Sequence, residues 1–382
     1  MIKGVLLIAT NFLKTIIEKF INLRKYFFNK PINARKTYFE ILDCLDKNFP
    51  GRGIDVFDTK IKDRPMAYGI LLSAEANRFR HTGELDALEF IRKCGDWLIE
   101  NADLNRNGIF GYGLADPMDA FSDGYINPAH HEYTITTSFA VAGLLDWYQL
   151  EPDSDRKTTI YCTVRECLTP YLDGSWDSPL GIPSYSLNEN DKKYDVYNPA
   201  AMLAAQLQRF SQITDEVLIK RSMSMKANKI ISIILENALF DLKGNRYWKY
   251  GIQFQKPNDL VHAAYIVEGF RDYHLNEGSV ALDLHSIMNH LLLFMSGKVW
   301  YEHIDKSRQN SKRNARLWAL GMLLYSLARD KRFDLIDATL LTQLAVYKKN
   351  DGHFMLKTND DRVLIRHEAH LMLGLSFYLF RS

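Results

Sequence analysis

The sequence predicts an all-α fold, an (α/α)6 toroid in which six helical hairpins close into a ring. Three observations carry that reading. First, a Gly-plus-aromatic turn recurs along the chain: Gly108-Ile109-Phe110, Gly174-Ser175-Trp176, Gly244-Asn245-Arg246-Tyr247-Trp248, Gly297-Lys298-Val299-Trp300 and Gly352-His353-Phe354. A degenerate first copy surrounds Gly51-Arg52-Gly53. Second, an irregular loop and then a helix rich in small residues follow each turn. These helices start near Met66, Tyr133, Val196, Asp259, Asn314 and Arg366, roughly 50 to 70 residues apart, a period that marks a repeat architecture. Third, a more polar helical stretch precedes each turn, so every period holds two helices.

The elements follow in order. Outer helices are expected over 87–101, 155–171, 215–237, 282–295 and 333–348, where apolar residues fall on one side of a charged helix. Inner helices are expected over 134–149, 199–210, 259–273 and 315–328, apolar all round and so buried. They carry Ser138-Phe139-Ala140-Val141-Ala142-Gly143, Ala200-Ala201, Ala204-Ala205, Ala263-Ala264 and Gly321, small enough for six helices to crowd round an axis. Strands are confined to short pieces in the loops, 247–250 and 300–303.

Residues 1–34 read as a separate amphipathic helix ahead of a toroid domain over 35–382. Phe12, Leu13, Ile16, Ile17, Phe20, Leu23 and Phe27 recur at helical spacing. Asn11, Lys14, Glu18 and Lys19 interrupt the apolar run, which rules out a membrane span of about 20 apolar residues. Lys3, Lys14, Lys19, Arg24, Lys25 and Lys30 outnumber the acids of this segment. Two readings fit: a helix packed on the outside of the ring, or a peripheral membrane contact through residues 1–30. The expected location is cytoplasmic, with membrane association under the second reading.

Across the 382 residues, 48 Lys and Arg face 46 Asp and Glu, a formal net charge of +2, so no nucleic-acid partner is expected. Cys44, Cys94, Cys162 and Cys167 form no C-x-x-C pair and read as buried free thiols. His130-His131-Glu132 suggests a metal at first sight, but adjacent histidines point apart and no third ligand stands at helical spacing. Asp103-Leu104-Asn105-Arg106-Asn107-Gly108 copies half of a calcium loop, yet Leu114 stands where the twelfth-position Glu belongs. No metal and no cofactor are expected.

This succession of helices resembles the six-hairpin glycosidase superfamily over about 350 residues, as a pattern of helices rather than a sequence signature. It is also similar to toroidal polysaccharide lyases and uronosyl epimerases, and to toroid proteins of bacterial polysaccharide gene clusters. The resemblance implies a carbohydrate-active enzyme, with an oligo- or polysaccharide of a bacterial surface or exopolysaccharide as its partner.

The long loops 102–132, 173–198, 241–258, 297–313 and 350–365 all lead from outer to inner helices, and the reverse connections are short. One face of the ring is therefore the functional one, and the inner-helix N-termini point at it. Hydrolysis of a glycosidic bond needs two carboxylates, and it is the favoured expectation. Asp195 and Asp259 stand at inner-helix starts of adjacent repeats as the working carboxylates. Glu132 or Glu268 would be the acid, and His262 and Tyr265 would shape proton transfer or, in a lyase, carry it out. Tyr133, Tyr197, Asn198, Trp248, Tyr250, Glu268, Trp300, His303, Arg316 and His367 are the candidate substrate contacts. Tyr133, Tyr197, His262 and Arg316 are expected to line one cavity. Structural roles compete: Asp195 and Asp259 can cap helices, His262 can be a core histidine, and Arg316 can pair with Glu268. A lyase or uronosyl C5-epimerase is the alternative, with a Tyr or His taking the proton beside a carboxylate that Asn, Arg or His neutralises. A non-catalytic glycan-binding or scaffold subunit is the third reading.

Overall fold

Two kinds of helix alternate along the chain, and the pattern of burial tells them apart. The computed structural model describes residues 30–46, 63–254, 258–304 and 315–381. The N-terminal segment 1–29 and the first turn around Gly51 lie outside the described residues. Among those described, the helices are α1 (Ala34–Asp46), α2 (Pro65–Thr82), α3 (Leu85–Glu100), α4 (Thr134–Leu150), α5 (Ser154–Leu168), α6 (Tyr197–Ile213), α7 (Val217–Glu236), α8 (Leu260–Leu275), α9 (Leu284–Leu291), α10 (Leu317–Arg329), α11 (333–344) and α12 (Ile365–Leu379). The odd helices bury one stripe, as α3 does with Leu88, Ile91, Cys94 and Leu98 at helical spacing. The even helices are buried on nearly every side, α6 most completely. Water rejects them on all faces, so they make the inner layer.

Each inner helix packs on the next, and α12 returns to α2, which closes the ring. The outer helices lie against it as α3 on α2, α5 on α4, α7 on α6, α9 on α8 and α11 on α10. The sixth hairpin joins the two ends of the domain: α1 packs on α12, with Tyr38 edge-on to Phe380 and the Ile32 N–H donating to the Leu341 carbonyl at 3.1 Å. Backbones touch where the sequence places small residues. A Cβ added at Gly143 would sit 2.5 Å from the Gly69 carbonyl oxygen, and one at Gly374 2.6 Å from that of Gly321.

The recurring turn has a backbone cause. Gly108, Gly174, Gly244, Gly297 and Gly352 all take positive φ, between 64° and 92°, a region that glycine enters without the Cβ penalty. Two of these turns close small antiparallel hairpins: β1 (Leu239–Phe240) with β2 (Arg246–Tyr247), and β3 (Met295–Ser296) with β4 (Val299–Trp300). Each strand therefore ends earlier than the sequence pattern suggests. The aromatic that follows turns inward as a plug: Trp248 Nε1 donates to the Ile234 carbonyl at 2.7 Å, and Trp300 Nε1 to Thr339 Oγ1 at 2.9 Å. Thr339 sits in a π-helical segment, Ile336–Leu340, which interrupts the outer helix expected over 333–348.

Candidate active site

Six of the inner-layer N-termini contribute to one cavity of about 300 Å³, at the small end of the range for ligand pockets. Met66 comes from α2, Tyr133, Ile135 and Thr136 from the start of α4, and Asn198 from α6. His262 and Tyr265 come from α8, Arg316 and Trp318 from α10, and Arg366 from α12. The loops add Leu114, Met118, Ala120, Tyr185 and Tyr250. A larger groove of about 580 Å³ lies on the outer wall between α1 and α3. Its central guanidinium, Arg78, is consumed by Glu75, Glu84 and Asp86.

Asp259 caps α8, its carboxylate accepting from the His262 N–H at 3.1 Å. The same carboxylate lies 2.7 Å from His262 Nδ1 and accepts from Arg316 Nη2 at 2.9 Å. Burial works to raise its pKa, but the His262 ring and the Arg316 guanidinium outweigh that and hold the carboxyl ionised, well below the usual range. His262 Nδ1 faces Asp259, so in the neutral ring Nε2 is the acceptor beside the cavity. Arg316 is fixed from its other side by Glu302, which accepts from Nε and from the Arg316 backbone N–H, each at 2.7 Å.

A second relay lies alongside. His370 Nδ1 is 2.6 Å from the Arg366 carbonyl, which can only accept, so Nδ1 carries the proton. Nε2 then accepts from the Tyr265 hydroxyl at 2.7 Å, and Trp318 Nε1 donates to the same hydroxyl. Burial, with the nearby Arg366 cation, holds His370 down at about 3, so the ring stays neutral. Burial also raises Tyr265 and Tyr250 well above the ordinary phenol value and keeps both protonated.

Arg366 differs from every other arginine of the mouth. Its guanidinium lies 4.2 Å over the Trp318 ring, and among the described residues it has no carboxylate or carbonyl partner. Burial and the neighbouring Arg64 and Arg316 lower its pKa. The Asn198 Oδ1 is likewise buried without a hydrogen bond, and the Tyr133 hydroxyl beside it makes none of good geometry. Among the described residues, these three groups that line the cavity carry hydrogen-bonding capacity left wholly or partly unused.

The structure brings together Tyr133, Asn198, Tyr250, His262, Tyr265 and Arg316 of the sequence-derived candidates, with Asp259 directly behind His262 and Arg316. The other candidates stand elsewhere. Asp195 accepts from the Leu180 N–H at 3.0 Å and from Gln253 Nε2 at 2.6 Å, which ties two loops together. Glu132 is buried beneath Gly111 with Asn105 donating to it at 3.3 Å, and burial raises its pKa. Glu268 lies in the C-terminal half of α8 and pairs with Arg329 at 2.7 Å, so Arg316 finds its carboxylates in Asp259 and Glu302 instead. Trp248 and Trp300 are the core plugs described above. Tyr197 and His367 are buried off the wall, and His303 is half-buried in the loop after β4. Sequence reasoning left out Tyr185, Glu302 and Arg366. Arg366 had a signal, since it starts the sixth inner helix as His262 opens the fourth. Tyr185 and Glu302 had none, because they reach the site from loops.

No protein-family model matches the sequence, and no curated protein matches it. Solved structures match in three dimensions. An unsaturated glucuronyl hydrolase specific for heparin superposes with a TM-score of 0.59 at 10% identity, over 90% of this chain and 95% of its own. Cellobiose 2-epimerase from Bacillus thermoamylovorans gives 0.60 at 10% identity, over 90% and 98%. The family 76 α-mannanase from Bacteroides thetaiotaomicron gives 0.59 at 12% identity, over 91% and 95%. This chain therefore has the six-hairpin, glycosidase-like (α/α)6 toroid fold.

Proposed function

We propose that this protein is a carbohydrate-active enzyme that moves the proton next to the carboxylate of an acidic sugar, as a uronate lyase or C5-epimerase. One observation carries the reading. The cavity holds an oriented imidazole, His262, and a guanidinium without a partner, Arg366, while no Asp or Glu lines its wall among the described residues. A uronate carboxylate would neutralise Arg366. His262 Nε2 would take the C5 proton, with Asp259 stabilising the imidazolium that forms. The electron pair would move toward the carboxylate, where Arg366 stabilises the added charge. In elimination the pair then returns to form the C4–C5 double bond as the C4–O bond breaks, and the leaving oxygen takes a proton from Tyr265. In epimerisation Tyr265 would instead give its proton to the other face of C5, and His262 and Tyr265 would return to their starting states by exchange with solvent.

Hydrolysis fits this arrangement less well. Asp195 serves the loop contact with Leu180 and Gln253, and Asp259 serves Arg316 and His262, so neither is free to face the other across a sugar. Among glycans, a uronate-containing bacterial surface or exopolysaccharide combines the charge with the aromatic wall of Tyr133, Tyr185, Tyr250 and Trp318. The test is incubation with uronate-containing oligosaccharides in heavy water. Unsaturated-uronide absorbance supports elimination, and deuterium at C5 supports epimerisation. New reducing ends without either would return the reaction to hydrolysis. Binding with no change in the glycan would leave a non-catalytic glycan-binding protein.

A further inference from the structure

An aromatic track leaves the cavity and runs outward over the first three long loops. Inside, the His262 ring is 4.9 Å from Tyr250, and Tyr133 is 5.6 Å from Tyr185. Tyr250 is then 5.1 Å from Phe254, and Tyr185 is 5.2 Å from Phe121. At the outer end Phe121 stacks on Tyr194 with centroids 3.9 Å apart, and Phe254 lies 6.1 Å from Phe121 and 6.0 Å from Tyr194. These three outer rings are half-buried. They pack on one another, and they belong neither to the hydrophobic core nor to the partly buried residues packed against it. Burying core surface therefore does not explain them.

Their polar surroundings have a consistent character. Tyr194 donates from its hydroxyl to Asp123 at 3.1 Å, and the Lys193 ammonium lies 5.1 Å from the Tyr194 ring and 2.6 Å from Asp123. Gln253 stands next to Phe254 and donates to the Lys193 carbonyl at 3.1 Å. Tyr125, partly exposed, accepts from Asn188 at 3.1 Å on the same rim. Flat apolar faces edged by amides, hydroxyls and an ammonium suit a sugar ring, which presents C–H faces and a hydroxyl rim. The cavity itself, at about 300 Å³, lies at the lower limit for ligand pockets and takes only a short piece of a glycan.

We infer that Phe121, Tyr194 and Phe254 form an outer saccharide subsite, continuous with the cavity, that holds the units next to the one being processed. The protein then acts on an oligo- or polysaccharide whose chain leaves the mouth over the loops at 111–130 and 185–195. This rests on the reading of the cavity as a sugar site, and it adds the direction of the chain and its minimum length.

The test is isothermal titration calorimetry with a length series, from disaccharide to hexasaccharide, of hyaluronan and of neutral cello-oligosaccharides. Wild type is compared with Phe121→Ala and Tyr194→Ala, with melting temperatures recorded for each. In wild type, affinity should rise with length beyond the disaccharide. The variants should lose roughly three- to tenfold more affinity for the hexasaccharide than for the disaccharide, the scale of one aromatic contact. A length advantage seen only on the neutral series keeps the outer subsite and removes the acidic-sugar reading of the cavity. Affinity independent of length, equal losses at all lengths, or no glycan binding at all would overturn the outer subsite.

Discussion

The two ends of the toroid use the same residue types in opposite ways. At the C-terminal ends of the inner helices the buried arginines and carboxylates pair with one another. Asp146 of α4 meets Arg80 of α2 at 3.2 Å and Arg209 of α6 at 3.0 Å. Arg329 of α10 meets Glu268 at 2.7 Å and Asp272 at 2.6 Å, and Arg271 meets Glu268 at 3.2 Å. This network closes the bottom of the ring. At the N-terminal ends Arg316 is answered twice, but among the described residues Arg366 has only the face of Trp318, and Asn198 keeps an unused oxygen. A buried ion network that is complete holds helices in register, and one left incomplete is a place for something else to bind. The helix dipoles sharpen the contrast, since inner-helix N-termini favour an anion at the mouth and the C-termini do not.

The largest expected effect breaks the closed end. Arg329→Ala leaves the half-buried Asp272 without its cation and the buried Glu268 with Arg271 alone, and should cost about 3 kcal/mol in urea unfolding, the lower end of the scale for breaking a buried pair. At the mouth, Asp259→Asn should keep the helix cap, and so the melting temperature, because Asn caps as well as Asp. It should lower turnover by about two orders of magnitude or more by releasing His262 from its orienting charge. Asp195→Asn, tested beside it, should leave turnover near wild type. Loss of activity in Asp195→Asn with full activity in Asp259→Asn would reverse the assignment.

Arg366→Ala sharpens the comparison most directly. The bottom arginine cannot be removed without loss of stability, but this one has no carboxylate to abandon among the described residues. Its removal should leave the melting temperature unchanged or raised, while weakening acidic sugars by about 1.5–3 kcal/mol, the scale of a hydrogen bond to a charged group. Neutral sugars should bind as before. Equal loss for both classes would mean that the arginine shapes the wall and does not read charge.

The smallest effect concerns pH. Burial lowers His290 to about 4 and His370 to about 3, and it lowers His131 and His367 as well. His353 is raised, chiefly by its hydrogen bond to Glu368. Below the unfolded histidine value of about 6.5, the unfolded chain binds protons that the lowered histidines refuse in the folded state. Their contribution to stability is complete above that value and is lost as the pH falls toward 4 and 3. His353 acts in the opposite sense, and the lowered histidines outnumber it. The unfolding free energy from urea titrations should fall between about pH 6 and about pH 5, by up to about 1.4 kcal/mol per pH unit for each net proton that the unfolded chain binds and the folded chain refuses. A flat profile there would mean that these rings are not buried neutral.

The sequence by itself determined the ring. Turn glycines must stand where φ is positive, and inner helices must be small and apolar where backbones meet. Both demands are local, so both are written as a repeat: Gly108, Gly174, Gly244, Gly297 and Gly352 in the turns, and Gly69, Gly143, Gly321 and Gly374 at the helix crossings. The repeat also marked the mouth, and with it Tyr133, His262, Tyr265 and Arg316. Only the tertiary structure decided which polar residues near the mouth face it. Asp195 and Asp259 both precede inner helices in sequence, yet one ties Leu180 to Gln253 and the other orients His262. Trp300 and Trp318 both look like sugar platforms, yet one hydrogen-bonds inside the wall and the other lines the cavity. The physical reason is that a side chain's role depends on which partners reach it first. Glu302, Tyr185 and Arg366 come together from segments far apart in the chain, where no local pattern can record their meeting.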